Sequence, residues 1–221
     1  MIHGRNSSGS ERNDRFEPIL TECCAASEGL LSEFESTPSR GKHYRMSISY
    51  FDLSVPTFLQ TVVAVSVWLD KASKHCSAND LDADDLVSAR LTEDMAPLFF
   101  QIECVDNYSV WGLDAVKQGV FNPPALEGVV PFERLQERIA NTEAVLKDLN
   151  SQEVDALSGK ELDMQIHTNP SKSPFTAETY LLSFLLPNFY FHAVTAYDIL
   201  RTQGVPIGKT DFEGQLRSEP L

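Results

Sequence analysis

Four stretches of this sequence repeat apolar residues at intervals of three and four positions, which is the spacing of one face of an α-helix. The clearest stretch is 55–76, and comparable ones fall at 92–118, 131–150 and 176–203. Helices with a single apolar stripe must bury that stripe against one another. The sequence therefore predicts an all-α four-helix bundle and not a sheet fold.

Residues with special backbone preferences mark the predicted ends of these helices. Ser54 before Val55-Pro56 predicts the start of the first helix, because a serine hydroxyl caps free amides and proline lacks the hydrogen that would be orphaned there. The second helix is expected to begin at Thr92 or Glu93. The other predicted ends are Gly119 after the second helix, Pro131 and Asn150 around the third, and Thr176 and Gly204 around the fourth.

Two further features shape the predicted bundle. Pro187 falls inside the last helix, where it must remove one backbone hydrogen bond and kink the rod. Between helices 3 and 4, Leu162, Met164 and Ile166 alternate with polar residues, which predicts a short extended segment or hairpin. The acidic connection 77–91 is expected to be loop with one turn of helix.

Residues 1–45 differ from the rest of the chain. They have a net charge of -1, whereas residues 46–221 carry -13 of the total of -14. Apolar residues recur at helical intervals over 16–34, and 36–42 reads as a polar linker. Two interpretations stay open for 1–45: an appendage with one docking helix, or a loosely ordered extension of a domain spanning 46–221.

The charge balance excludes several partners. With 32 acidic residues against 18 basic ones, the chain lacks the basic surface that nucleic acids and membrane surfaces require. The first 15 residues contain no apolar run typical of a signal peptide, and the longest apolar stretches are interrupted by polar residues or proline. We therefore expect a soluble cytoplasmic protein that binds neither nucleic acid nor membrane, with its four cysteines as free thiols.

Several short segments resemble one known family. They are Met46–Tyr50 running into Ser54–Leu59, Leu69–Ala72 with His75, Ala89–Leu91 with Met95–Leu98, and Asn188–Arg201 followed by Gly204–Lys209 and Asp211–Phe212. Together they resemble an uncharacterised microbial family of unknown function that is grouped with the DinB/YfiT-like four-helix-bundle metalloenzymes. The resemblance covers about residues 46–214. It implies the bundle fold and carries no reaction with it.

The wider DinB-like superfamily often binds a divalent metal through three histidines, one on the second helix and two on the fourth in a His-x-x-x-His pattern. This sequence departs from that pattern, because His192 is followed four residues later by Ala196 and the second helix contains no histidine. Only a mixed set such as His192, Asp106 and Cys104 would supply ligands. The sequence therefore predicts no metal and no cofactor.

His192 is the main candidate for chemistry. It lies on a largely apolar face of the last helix, where a neutral imidazole with a hydrogen-bond partner can act as a general acid or base. The alternative is a core histidine bonded to another helix. Asp106 is the second catalytic candidate, and the candidate substrate-binding residues are Gln101, Tyr108, Phe189 and Tyr197.

Phosphate-binding glycine loops, nucleophile elbows and Cys-x-x-Cys pairs are all missing from the sequence. Three functions remain. The first is a metal-free enzyme or binder that takes a small hydrophobic metabolite between helices, with His192 assisting an isomerisation, dehydration or cyclisation. The second is a noncatalytic interaction protein that forms a homodimer. The third is a metal-dependent transferase of the DinB type.

Overall fold

The computed structural model describes residues 48–164 and 174–217 of the chain. The predictions on the 1–45 appendage and on Ile166 concern residues outside these ranges. The long helical rods form a bundle with one hydrophobic core. The helices are α1 Tyr50–Ala78, α2 Asp84–Val87, α3 Leu98–Asp106, α4 Gly112–Gln118, α5 Phe132–Asp148, α6 Ser151–Asp155, α7 Ala177–Tyr180, α8 Leu186–Thr202 and α9 Lys209–Glu213, with π-helical segments π1 Asn107–Trp111 and π2 Leu181–Leu185.

The first rod, α1, begins four residues earlier than Ser54. Ser49 caps it by accepting a hydrogen bond from the backbone amide of Asp52, and the Asp52 carboxylate bonds back to the Ser49 amide. This reciprocal capping box holds the first turn. The Ser54 hydroxyl instead donates to the carbonyl of Tyr50 at 2.6 Å, so the predicted start was wrong. Pro56 lies inside α1, where it removes one backbone hydrogen bond, and the helix continues past it.

The second rod is α3, π1 and α4 in continuous succession. It begins at Leu98 and not at Thr92 or Glu93, because Pro97 disfavours helical backbone in the residue before it and occupies the cap. Gly119 ends the rod with φ +75°, a left-handed conformation that glycine adopts without steric cost. The predicted C-terminus is therefore confirmed and the predicted N-terminus is corrected.

The last rod is α7, π2 and α8. Thr176 caps its start as predicted, and it does so in a capping box with Thr179. The π2 segment ends at Leu185, two residues before Pro187, so the wider helical turn accommodates the break in hydrogen bonding that proline imposes. The start of α4 lies against π2, with Gly112 so close to Leu185 that an added Cβ would lie 2.3 Å from its Cδ1.

The third rod, α5, follows Pro131 as predicted, and a new short helix, α6, begins directly after the Asn150 cap. A small sheet closes one end of the bundle with the strands β1 Val120–Phe121, β2 Glu161–Met164 and β3 Pro174–Thr176. Strand β1 pairs parallel to β2, and β2 pairs antiparallel to β3. The extended segment predicted between helices 3 and 4 is thus present as β2, and it pairs with β1, which directly follows the second rod.

Within the described part of the chain, α1 is the one helix long and apolar enough to cross a membrane by length and composition. Its most apolar 18-residue window has a mean hydropathy of 1.4, and half of that window is buried inside the fold. A helix at the core of a soluble bundle meets the same criterion, so the finding is weak support for a membrane span.

Candidate functional site

His192 is buried on α8 and contacts α3 through one short hydrogen bond. Its Nδ1 lies 2.7 Å from Oε1 of Gln101, and both side chains are almost completely shielded from solvent. The Gln101 amide nitrogen donates to the carbonyl of Ala96 at 2.9 Å. Since this bond orients Oε1 toward the imidazole, His192 must carry its hydrogen on Nδ1.

Burial lowers the pKa of His192 to about 3. The desolvated site penalises the imidazolium form, and Gln101 offers no charge to offset that penalty. His192 is therefore a neutral imidazole at any physiological pH, with its tautomer set by Gln101.

Aromatic rings enclose this pair. The Tyr108 ring stacks on the imidazole with centroids 5.4 Å apart and planes 11° apart. Phe100 and Phe191 contact the same imidazole at 5.8 and 5.2 Å. The structure therefore brings together three of the predicted site residues, His192, Gln101 and Tyr108, at the junction of the second and fourth rods.

A small apolar cleft lies on the other side of this junction, beside π1. It has a volume of about 30 Å³. Tyr108 belongs to its lining, so one tyrosine connects the cleft to the histidine. The full lining is Cys104, Asn107, Tyr108, Trp111, Phe121, Pro123, Pro124 and Leu126.

Behind the cleft, aromatic side chains extend toward the sheet. Phe121 contacts Phe184 of π2 at 5.0 Å, and Phe184 stacks on Tyr180 at 5.7 Å. The hydroxyls of Tyr180 and Tyr50 are buried without a hydrogen-bond partner among the described residues. Burial raises the pKa of both phenols above its usual value, so both are neutral donors.

Asp106, the second catalytic candidate, belongs to a different cluster. Its Oδ2 accepts from Nη1 of Arg138 at 2.8 Å, and its Oδ1 accepts from the Thr142 hydroxyl at 2.7 Å. Gln101 and Asp106 are five positions apart on α3, so their side chains leave different sides of the helix. Asp106 therefore contacts α5, whereas Gln101 contacts His192 on α8.

Glu103 and Glu127 complete the charged cluster around Arg138. Glu103 Oε1 accepts from the Glu127 backbone amide at 2.8 Å and from Arg138 at 3.2 Å. Burial raises the pKa of Glu103, although the Glu127 amide and the Arg138 charge oppose the shift. Burial also acts to raise the pKa of Glu127, but hydrogen bonds and charge from Arg138 and Arg134 outweigh it and lower that pKa.

The two remaining candidates lie away from the cleft. Phe189 packs edge-on against Phe58 of α1, with centroids 4.9 Å apart. Tyr197 contacts Trp68 and Phe212, both at 5.6 Å, under the C-terminal α9. Successive apolar positions of α8 contact different helices, and these two contact α1 and the C-terminal segment instead of the second rod.

The donor atoms present do not fit the three-histidine metal set of DinB-like proteins. Ala196 occupies the position four residues after His192. His75 bonds to Asn79 at the end of α1, where it is remote from His192 in the sequence and in its contacts. In residues 48–164 and 174–217, no three His, Cys, Asp or Glu side chains come close enough together to hold a metal ion.

Sequence reasoning missed the outer side of the cleft. Pro123, Pro124 and Leu126 come from an irregular connection, and a Pro-Pro pair near a glycine indicates only a loop. Nothing in the linear pattern places this loop against π1. Arg138 was missed for a similar reason, because a charged residue on α5 reads as part of a solvated helix face.

Comparisons with known proteins agree with this architecture. A crystal structure of a DinB family member protein from Shewanella denitrificans matches with a TM-score of 0.65, over 77% of this chain and 95% of that chain. The sequence identity is 22%, so the likeness shows the fold alone. No curated protein matches the sequence. Residues 50–213 match the family described as Domain of unknown function (DUF1993), and the chain belongs to that family.

Proposed function

We propose that this domain binds a small, largely apolar molecule in the cleft beside π1, without a metal. The observation that carries the proposal is the composition of the cleft, in which aromatic and aliphatic side chains surround one amide, that of Asn107. Ligand sites typically combine an apolar lining with a few polar groups that orient the ligand. Departures from α-helix into π-helix, as at π1, are also frequent at functional sites.

The lining favours a flat molecule with one hydrogen-bonding group. Trp111 and Phe121 meet edge-on at 4.9 Å, and the π-faces and edges of such rings pack well against another ring. The Asn107 side chain can both donate and accept a hydrogen bond. An aromatic or alicyclic metabolite with a carbonyl or hydroxyl group matches this combination.

His192 has a packing role in this proposal and not an acid–base role. A general acid or base works best with a pKa near the working pH, whereas that of His192 is about 3. Its contribution is to hold Tyr108, whose ring stacks on it, at the inner side of the cleft. The His192–Gln101 pair thus acts as a rigid support for the lining.

Indole, a flat apolar molecule with one donor, is a suitable probe. The chain has two tryptophans, of which Trp111 lines the cleft and Trp68 packs under α9 with its indole nitrogen bonded to the carbonyl of Asp211. In a ¹⁵N-labelled sample we expect indole to shift the Trp111 side-chain signal saturably and to leave that of Trp68 in place. Equal shifts of both signals, or no shift, would contradict the proposal.

Filling the cleft provides a matched pair of variants. Cys104→Leu adds volume at the cleft lining, so it should abolish the saturable Trp111 shift. Cys76→Leu adds the same volume at another buried cysteine, outside the cleft, and should preserve the shift. Comparable losses in both variants would attribute the effect to general disruption of packing.

A homodimer is the second candidate. Four large apolar side chains on the last rod are at least 37% exposed: Leu182, Tyr190, Phe191 and Val194. A second copy of the chain packing on this stripe would bury it. Sedimentation equilibrium of the intact protein and of Phe191→Glu tests this candidate, which requires a dimer that the substitution dissociates.

A further inference from the structure

The outer side of the cleft is one connection, residues 122–131, which we call the wall segment. It joins β1 to α5 and contributes Pro123, Pro124 and Leu126 to the lining. Its two ends are anchored, since Phe121 lies in the sheet and the Phe132 amide donates to Asp84 at 2.7 Å. Between the anchors the backbone is irregular, and Gly128 has φ +93°.

Glu127 attaches the middle of the wall segment to the bundle. Its backbone amide donates to Glu103 at 2.8 Å. Its carboxylate accepts from Arg138 and, at 3.4 Å, from Arg134. Leu126, directly before it, lines the cleft, so these bonds hold part of the lining in place.

Some polar atoms on the bundle side of this attachment lack hydrogen-bond partners among the described residues. Glu103 is 1% exposed, yet its Oε2 makes no hydrogen bond of good geometry among the described residues, although the Gly128 amide is near enough to oppose the rise of the Glu103 pKa. Nε of Arg138 has no partner in the described part of the chain either. A buried charged cluster with unpaired atoms is much less stable than one whose atoms are all paired. Glu127 itself is far more exposed, with a side-chain exposure of 39%. The Glu127 carboxylate can therefore be hydrated when it leaves the arginines, which lowers the cost of its release.

We propose that the wall segment is a hinged cover over the cleft, held shut by Glu127 through Arg138 and Glu103, and that its release admits the ligand. This inference rests on the proposed function. A cleft of about 30 Å³ holds one or two water molecules, so a molecule of metabolite size needs the cover to move. Release separates Leu126 from the cleft and exposes Cys104 to solvent.

The reactivity of Cys104 measures this opening without any ligand. Cys104 lines the cleft and is 2% exposed, and Cys76, equally buried at the end of α1, serves as an internal reference for global unfolding. The intact protein is treated with a thiol-alkylating reagent, and peptide mass spectrometry follows each cysteine separately. Glu127→Ala should raise the alkylation rate of Cys104 about fivefold and leave that of Cys76 unchanged.

Glu137→Ala is the matched control, because Glu137 pairs with Arg134 at 3.2 Å from outside the wall segment. It should alter neither rate. An unchanged Cys104 rate in Glu127→Ala would overturn the proposal, as would a parallel rise at Cys76, which indicates global destabilisation. Protection of Cys104 by indole against alkylation is measured separately. If indole gives no protection although Glu127→Ala raises the Cys104 rate, the proposed ligand binding is contradicted and the proposed hinged cover is still supported.

Discussion

The two sides of α3 bury polar groups in different ways. On the side toward α8, the Gln101 amide and the His192 imidazole are neutral, and Gln101 bonds to both His192 and a backbone carbonyl. On the side toward α5, Glu103 and Asp106 are acidic residues that share Arg138. The first side is packed by aromatic rings, whereas the second borders the solvent-exposed wall segment.

This difference shows how one helix can combine a rigid side with a releasable one. A neutral pair whose polar atoms are hydrogen-bonded costs little desolvation free energy to bury, and it gains no solvation free energy by opening. A charged cluster with unpaired atoms is costly to bury and gains solvation when it opens. The cleft lies between the two, with Tyr108 on the rigid side and Leu126 on the releasable side.

The largest effect is expected from breaking the charged side. Arg138→Met leaves the buried Glu103 and the half-buried Asp106 without their cation, and removing one partner from a buried ion pair costs about 3–5 kcal/mol of unfolding free energy. Urea denaturation of the intact protein measures it. Adding Glu103→Gln removes the uncompensated buried charge, so the double variant should recover part of the loss. A stable Arg138→Met would show that the cluster contributes nothing to folding.

The neutral side should dominate the acid sensitivity of the fold. The pKa of His192 falls from an ordinary 6.5 to about 3, so the unfolded chain binds a proton that the folded chain rejects between these pH values. Its stabilising effect is complete above pH 6.5 and is lost as pH falls toward 3. From pH 6.5 to 5 this loss approaches about 2 kcal/mol, measured by urea denaturation at each pH.

The raised pKa of Glu103 has the opposite effect on the pH dependence of stability, because the folded state binds this proton more readily than the unfolded state does. Its contribution is present below the unfolded pKa and is lost as pH rises through the folded pKa. His192→Asn, which keeps a donor for Gln101 but cannot titrate, isolates the histidine. The dependence of the unfolding free energy on pH between 6.5 and 5 should be weaker in this variant. An unchanged slope would mean that His192 is not the group responsible.

The smallest change in unfolding free energy is expected at Arg134, which lies one helical turn from Arg138 and is more exposed. Arg134 is 49% exposed at its side chain and pairs with Glu127 and Glu137, whereas Arg138 is 18% exposed. Exposed pairs contribute about 0–1 kcal/mol, so Arg134→Gln should change the unfolding free energy by less than about 1 kcal/mol. The same urea titrations provide this value, and a loss comparable to that of Arg138→Met would remove the distinction between the two sites.

Much of the fold could be predicted because its signals are local. Gly119 and Pro131 mark helix ends through backbone preferences that act within a few residues, and both ends were correct. The starts at Ser54 and Thr92 were wrong because stronger signals lay nearby. Ser49 with Asp52 forms a better cap than Ser54, and Pro97 excludes a helix from the residues before it.

The candidate site was predictable only where one helix face carried it. His192 and Gln101 were both predicted site residues, and the structure joins them by a hydrogen bond between the second and last rods. Asp106 is close to Gln101 in the sequence, but the rotation between them directs it to Arg138. Sequence proximity on a helix therefore did not predict which side chains share a site.

The sequence by itself determined the bundle, most of its helix ends and the absence of a DinB-type histidine set, because periodicity, capping and residue identity are properties of the chain alone. Only the tertiary structure decided which faces of α3 meet α8 and α5, that the 122–131 connection covers a cleft, and that the pKa of His192 falls to about 3. These depend on the rotation of packed helices and on desolvation, and both arise only when residues distant in sequence exclude water together.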